Sequence, residues 1–253
     1  MNVKKIANVI LVGILLFSST QIAIKLIDYK KSEELYSSIQ EIVNTTEDSS
    51  KTANSENNES SVETYEKLKK INSDYKFWVE IENTNVSYPV VQTTDNSFYL
   101  KKDFNKKNSS SGTVFMDTLN NFETDSNVVL YGHNMNNKTM FNNVTLFKKK
   151  DFFNKINKIK IKHAGDNKEY IYEVFSAYHT NNSFDYNTVV FGQGYSFAEF
   201  LDDIKEKSMY KKNISVTEDD KIITLSTCSY EFKGAKTTVH AKLIEVKDLN
   251  QIN

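Results

Sequence analysis

The run KIITLSTC at 221–228, and the run TTVHAKLIEV that follows it at 237–246, decide how this chain folds. Both have strand length, both are rich in β-branched residues, and a short polar segment separates them. Working outward, the same kind of run recurs as YKFWVEI (75–81), VSYPVV (86–91), GTVFM (112–116), NVVLYG (127–132), KIKI (158–161) and EYIYEVFSAY (169–178). Turn residues such as Asn-Thr-Asn at 83–85 and Gly-Asp-Asn at 165–167 lie between them. Short strands at such spacing predict a mainly β domain, either a sandwich or a closed barrel. One helix interrupts the strands. Ser196 and Glu199 form a capping box, and Phe197, Phe200, Leu201 and Ile204 make one apolar stripe, read as core packing.

Upstream of Tyr75 the character changes. Nineteen uncharged residues lie between Lys5 and Lys25, which at about 1.5 Å per residue just span a hydrocarbon core of about 30 Å. The expected division is a cytoplasmic N-terminus over 1–5 and a transmembrane signal anchor over 6–27. A helix and flexible stalk then occupy 28–69, and the folded domain 70–253. A cleaved signal peptide and a buried helix are the rival readings of the apolar run. Leu35, Ile39 and Ile42 recur at helical spacing, whereas NTTEDSSKTANSENNESS at 44–61 has almost nothing to bury and reads as the stalk.

The 253 residues carry 32 basic side chains, all of them lysine, against 33 acidic ones, for a net charge of −1. Such a balance lacks the basic footprint of a nucleic-acid binder. One cysteine excludes an intrachain disulfide framework and any multi-cysteine metal site.

Cys228 closes its strand among polar neighbours, at a strand end where sites collect, although a lone cysteine is also commonly an inert buried thiol. A cysteine that attacks carbonyls needs a base or a cation beside it. Of the four histidines, His133 is the best candidate because it too follows an apolar strand. His163 lies in a turn before Gly165 and His240 lies inside a strand; His179 is the fourth. No HxxxH or HExxH spacing supports a metal site, and the acidic loop from Asp117 to Asp125 reads as solvated rather than calcium-binding.

TLSTC at 224–228, YPVVQTTDNSFYL at 88–100, SGTVFMD at 111–117, YGHNM at 131–135 followed by Met140-Phe141, and VHAKL at 239–243 occur in the order found in class B sortases. The chain resembles these membrane-anchored transpeptidases of Gram-positive bacteria over about residues 70–246. The resemblance implies an eight-stranded β-barrel, with the helix at 196–208 inserted before the cysteine strand. It implies Cys228 as nucleophile and His133 as acid/base partner. The family's third residue is an arginine, and here that position holds Lys236, with Lys233 as the substitute if the strand register differs. Asn96, Leu100 and Ser226 match positions that contact the sorting peptide, and Thr227 either positions the substrate backbone or finishes the strand. Leu100 as a core residue and Asn96 as a turn residue are the plain alternatives. The implied partners are secreted proteins bearing a C-terminal NPxTN- or PxTG-like motif and a peptidoglycan-precursor amine, with no cofactor. The implied location is the cell membrane, single-pass, with the catalytic domain outside. A cysteine hydrolase on the same scaffold and a non-catalytic surface binding protein are the competing functional readings.

Overall fold

The computed structural model describes residues 3–52, 57–155, 158–181 and 184–249. Its strands coincide with the eight apolar runs: β1 (Tyr75–Ile81), β2 (Ser87–Val91), β3 (Val114–Met116), β4 (Asn127–Tyr131), β5 (Lys158–His163), β6 (Lys168–Thr180), β7 (Ile222–Cys228) and β8 (Lys236–Asp248). They close into a barrel in the order β1-β2-β3-β4-β7-β8-β6-β5. Closure leaves no unpaired edge, so every strand can hydrogen-bond on both sides. The barrel resolves the choice between sandwich and barrel. Alternate residues such as Phe77, Val79, Val90, Leu130, Ile159, Ile161, Leu225 and Val239 fill its interior core.

Two of the barrel's contacts are parallel, β2 with β3 and β4 with β7, so they need long crossovers. The crossover from β6 to β7 carries α4 (Phe197–Glu206). Ser196 caps α4 by accepting from Glu199 N while Glu199 accepts from the Ser196 backbone, the capping box expected from the sequence. Phe197, Phe200, Leu201 and Ile204 bury themselves against Phe175, Tyr178 and Ile222 on the outer barrel surface. Each such side chain contributes about 1.5–3 kcal/mol by leaving water, so the crossover is pinned.

The N-terminal region departs from the expected stalk. Helix α1 runs unbroken from Val3 to Thr52, and α2 covers Asn57–Ile71. The stretch 44–61 is thus helical at 44–52 and 57–61, and its middle, 53–56, lies outside the described residues. Between Asn44 and Ser61 there is no Gly or Pro to interrupt the backbone, and composition alone had suggested otherwise. Beyond residue 27 the helix belongs to the folded body. Tyr36, Ile39 and Val43 are buried in the barrel's core cluster, Tyr36 meets Tyr88 edge-on at 5.4 Å, and Gln40 Nε2 donates to Ser87 O at 2.7 Å. By contrast the apolar side chains from Val9 to Ile27 are exposed, and this is a helix long and apolar enough to cross a membrane.

Candidate active site

Antiparallel pairing of β7 and β8 sets Cys228 directly opposite Lys236. The turn between them is closed by Ser229 N donating to Ala235 O at 2.8 Å, with Gly234 at φ +80°. Residues opposite one another on neighbouring strands share a face, so the lysine stem reaches the sulfur without a detour. Lys236 Nζ donates to Cys228 Sγ at 3.1 Å. This register removes the need for Lys233, which is exposed on the turn. Cys228 itself is only partly buried and therefore reachable.

His133 arrives from β4. The parallel register of β4 on β7 pairs Leu130 with Leu225 and Tyr131 with Ser226. Continuing that register by two residues brings His133 level with Cys228 on strands about 4.8 Å apart. Three bonds hold it there. Gly132 N donates to Ser226 O at 3.2 Å, Thr227 Oγ1 donates to Gly132 O at 2.7 Å, and Asn134 Nδ2 donates to Cys228 O at 2.9 Å. The backbone on both sides of His133 is therefore tied to the cysteine strand.

The imidazole is oriented from a third direction. His133 Nε2 lies 2.7 Å from Leu100 O. A carbonyl can only accept, so Nε2 carries a proton, and Nδ1 is the nitrogen that gains or loses one. Gly112 lies against the ring at φ +60°, where a Cβ would sit 3.1 Å from His133 Cδ2 and 2.5 Å from Tyr99 O. Glycine is required here both for its backbone angle and for the space.

Upstream of His133 and Cys228 on their strands, Tyr131 and Ser226 pair with each other and join side chains from three loops. Asn96 Nδ2 donates to Asp117 Oδ2 at 2.9 Å, and Asn96 Oδ1 accepts from Thr118 N at 2.9 Å. Tyr131 OH donates to the same carboxylate at 2.9 Å and accepts from Asn187 Nδ2 at 3.0 Å. Burial, and then the Asp117 charge, push the Tyr131 phenol well above its ordinary range. Ser226 Oγ donates to Tyr186 OH at 3.0 Å. Asn96 thus braces a loop, and Leu100, 37% exposed, is a surface residue and not core. Thr227 differs from its neighbours. Strand alternation turns it to the face opposite Ser226 and Cys228, and its hydroxyl is committed to Gly132 O. Its hydroxyl thereby ties the residue before His133 to the cysteine strand, which fits the reading that Thr227 finishes the strand.

The turn after the cysteine is latched from the other side. Glu231 accepts from Lys148 and from Ser229, and although burial opposes ionisation these bonds hold its carboxyl down at about 2. A polar cavity of about 520 Å³ opens there, lined among others by Asn134, Asn142, Lys148, Tyr230 and Glu231.

The other histidines lie elsewhere. His163 stacks on Phe122 at 5.3 Å between ring centroids, and His179 meets Phe232 edge-on at 5.9 Å. His240 is fully buried between Tyr178 OH, at 2.9 Å from Nε2, and Thr224 Oγ1, at 2.8 Å from Nδ1. Two carboxylates of the acidic loop are taken by protein donors, Asp117 as above and Asp125 by Asn120 and Asn121. Among the described residues no group of three His, Cys, Asp or Glu side chains is arranged to hold a metal.

Asn134, Gly112 and Tyr131 were not singled out in the sequence, and Asp117, read there as part of a solvated loop, is buried. The signal for Tyr131 was present, because residues 131 and 133 alternate onto one strand face. The roles of Gly112 and Asn134 depend on partners 21 and 94 positions away.

A closed barrel that presents a reachable cysteine with a cation on its sulfur and a histidine level with it defines a cysteine acyl-transfer scaffold. Residues 79–244 match the Sortase domain family, so the chain belongs to the sortases, which are cysteine transpeptidases. Its relatives place it in class B. It is 36% identical to sortase B of Staphylococcus aureus over 187 residues, covering 72% of this chain and 75% of that one. A mutant form of Clostridium perfringens sortase B superposes with a TM-score of 0.70 at 38% identity, over 75% of this chain and 90% of that one. A Staphylococcus aureus sortase B–substrate complex superposes at 0.75 and 29% identity, over 87% and 99%.

Proposed function

We propose that this sortase is held in the cell membrane by residues 6–27, with its barrel outside, and cleaves a C-terminal sorting motif of secreted proteins after threonine. It then transfers the acyl group to a peptidoglycan-precursor amine. The observation that carries the assignment of roles is the Lys236 ammonium bonded to Cys228 Sγ at 3.1 Å, with His133 held level by bonds to both flanking residues.

The steps follow from the three groups. A cation beside the sulfur favours thiolate, the form that attacks. As the threonine carbonyl becomes tetrahedral, its oxygen gains the charge the sulfur loses, and the Lys236 ammonium is near enough to follow that charge. Protonated His133 donates from Nδ1 to the leaving amine, with Nε2 anchored on Leu100 O, leaving a thioester on Cys228. The incoming amine gives its proton back to Nδ1 as the thioester is resolved. One amide is exchanged for another, so the energy of the broken bond is retained in the new one. Asn96, Leu100 and Ser226 are the groove positions that would meet the sorting peptide, and NPxTN-like or PxTG-like motifs are the candidates. The exposed apolar face of α1 from Val9 to Ile27 supports the anchor, and its continuation into the docked segment at Tyr36 would keep the barrel near the membrane that holds its substrates.

The test is incubation with a panel of NPxTN-, LPxTG- and PPxTG-like peptides plus a diamino-acid or oligoglycine amine. Amide-exchanged product, absent with Cys228→Ala, is expected. Cleavage that releases only the free acid, whichever amine is supplied, would mark a hydrolase instead.

A further inference from the structure

Lysine at position 236 differs from the arginine that the class B resemblance leads one to expect in more than donor geometry. A guanidinium stays charged and does not attack carbonyls, whereas a lysine amine is a primary amine, the same functional group as the acceptor this reaction consumes. Its place is unusual for such a group. Lys236 stands directly across the ladder from Cys228, and its Nζ is 3.1 Å from Sγ. Among the described residues, that sulfur is the one hydrogen-bond partner of its ammonium.

In the acyl-enzyme the carbonyl carbon is one covalent bond from Sγ, so rotation of the Lys236 side chain can bring Nζ to the distance of about 3–3.5 Å at which reacting atoms attack. The sulfur is then uncharged and no longer holds the ammonium as its counter-ion. Groups so placed react as though present at ~10⁵ M or more, far above any dissolved amine, so even a small fraction of free amine competes.

We infer that Lys236 is an internal acyl acceptor: when no external amine arrives, it takes the acyl group from Cys228 and becomes an amide-modified, self-capped lysine. The ammonium first loses one proton to water. Nζ then attacks the thioester carbon, the C–N bond forms and the C–S bond breaks. The second proton goes to the departing sulfur, leaving free Cys228 thiol and an amide on Lys236. No oxidant or co-reactant is needed, and exchange of a thioester for an amide runs downhill. The consequence is a sortase that stops after one turnover without its acceptor, instead of hydrolysing its substrate continuously.

This inference rests on Cys228 forming a thioester, and the test separates the two. Full-length protein in detergent is loaded, without amine, with a short peptide ending in a threonine thioester, which acylates Cys228 by thioester exchange and needs no amide cleavage. Intact mass is followed over time, then hydroxylamine is added to strip thioesters, and the site of any remaining acyl group is mapped by fragmentation. The expected result is a hydroxylamine-labile acyl mass that converts to a resistant one on Lys236. Cys228→Ala should give neither, and Lys236→Arg should give only the labile form. A labile adduct on the unaltered protein that never becomes resistant, or a resistant one on another lysine, would overturn the inference and leave the transpeptidase reading standing. Absence of any adduct on the unaltered protein, together with no labile adduct on Lys236→Arg, would sink both.

Discussion

Tyr36, on the helix that begins as the apolar N-terminal run, donates to the carbonyl of Gly112 at 2.6 Å, across 76 positions of sequence. The same hydroxyl lies 3.0 Å from Thr113 Oγ1, which in turn donates to Lys102 O at 2.8 Å. Gly112 touches the His133 ring, and its neighbour in the fold, Leu100, accepts the ring's Nε2 proton. The helix that would leave the membrane is thereby joined to the shelf that aims the imidazole. Tyr36→Phe strands a buried carbonyl, which costs about 1–3 kcal/mol. We expect turnover to fall several-fold with Cys228 alkylation unchanged, because the sulfur's own partner, Lys236, is untouched. A lowered melting temperature with normal turnover would show the bond to be structural only.

Position 236 gives a second prediction. Lys236→Arg keeps a cation across from Cys228 and adds a rigid fork of donors, so transfer to an external amine should be preserved or increased. Lys236→Ala removes the charge, and turnover should fall by about 10²-fold or more. Steady-state kinetics on both variants checks this. Unchanged turnover in the alanine variant would remove Lys236 from the oxyanion role.

Ser226 and Thr227 are adjacent but face opposite ways, and their variants should differ in kind. Thr227→Val loses the bond to Gly132 O, so the expected result is lower stability, by about 1–3 kcal/mol, and a lower kcat with little change in KM. If Ser226 meets the sorting peptide as proposed above, the effect of Ser226→Ala should fall mainly on KM for that peptide. Denaturation curves and a KM-against-kcat comparison separate the two.

His240 supplies a pH dependence. Burial without a charged partner pushes its pKa down to about 3, against about 6.5 for a free histidine. Between those values the unfolded chain binds a proton that the folded one refuses, so stability must fall as the pH drops from about 6.5 towards 3. Melting curves across that window should decline, and more shallowly in His240→Gln. Equal slopes would show that the histidine is not the group responsible. Thr224 links His240 to Asn127, whose Nδ2 donates to Thr188 O in the crossover loop.

All eight strands and α4 were legible because their signals are local: alternating apolar residues, a capping box and an apolar stripe. Cys228 and His133 were legible because each ends an apolar strand. What separated barrel from sandwich was not local, since the parallel contacts of β2 with β3 and β4 with β7 join segments that lie far apart in the chain. Nor was the role of Thr227, whose hydroxyl finds its acceptor 95 positions away. The continuity of α1 past Ile42 was missed because a polar stretch with no Gly or Pro reads alike as a solvated helix or as a tether. Docking through Tyr36, Ile39 and Val43 shows only once the barrel is closed.

The central claim is that Cys228 carries the acyl group. Intact-mass spectrometry of the full chain, mixed with the amide peptide panel and quenched in acid within the first turnover, tests it most directly. The account predicts a mass gain equal to the peptide cut after threonine, labile to hydroxylamine and located on Cys228, and no gain in Cys228→Ala. Product formation with no adduct on Cys228, or undiminished product in Cys228→Ala, would contradict it.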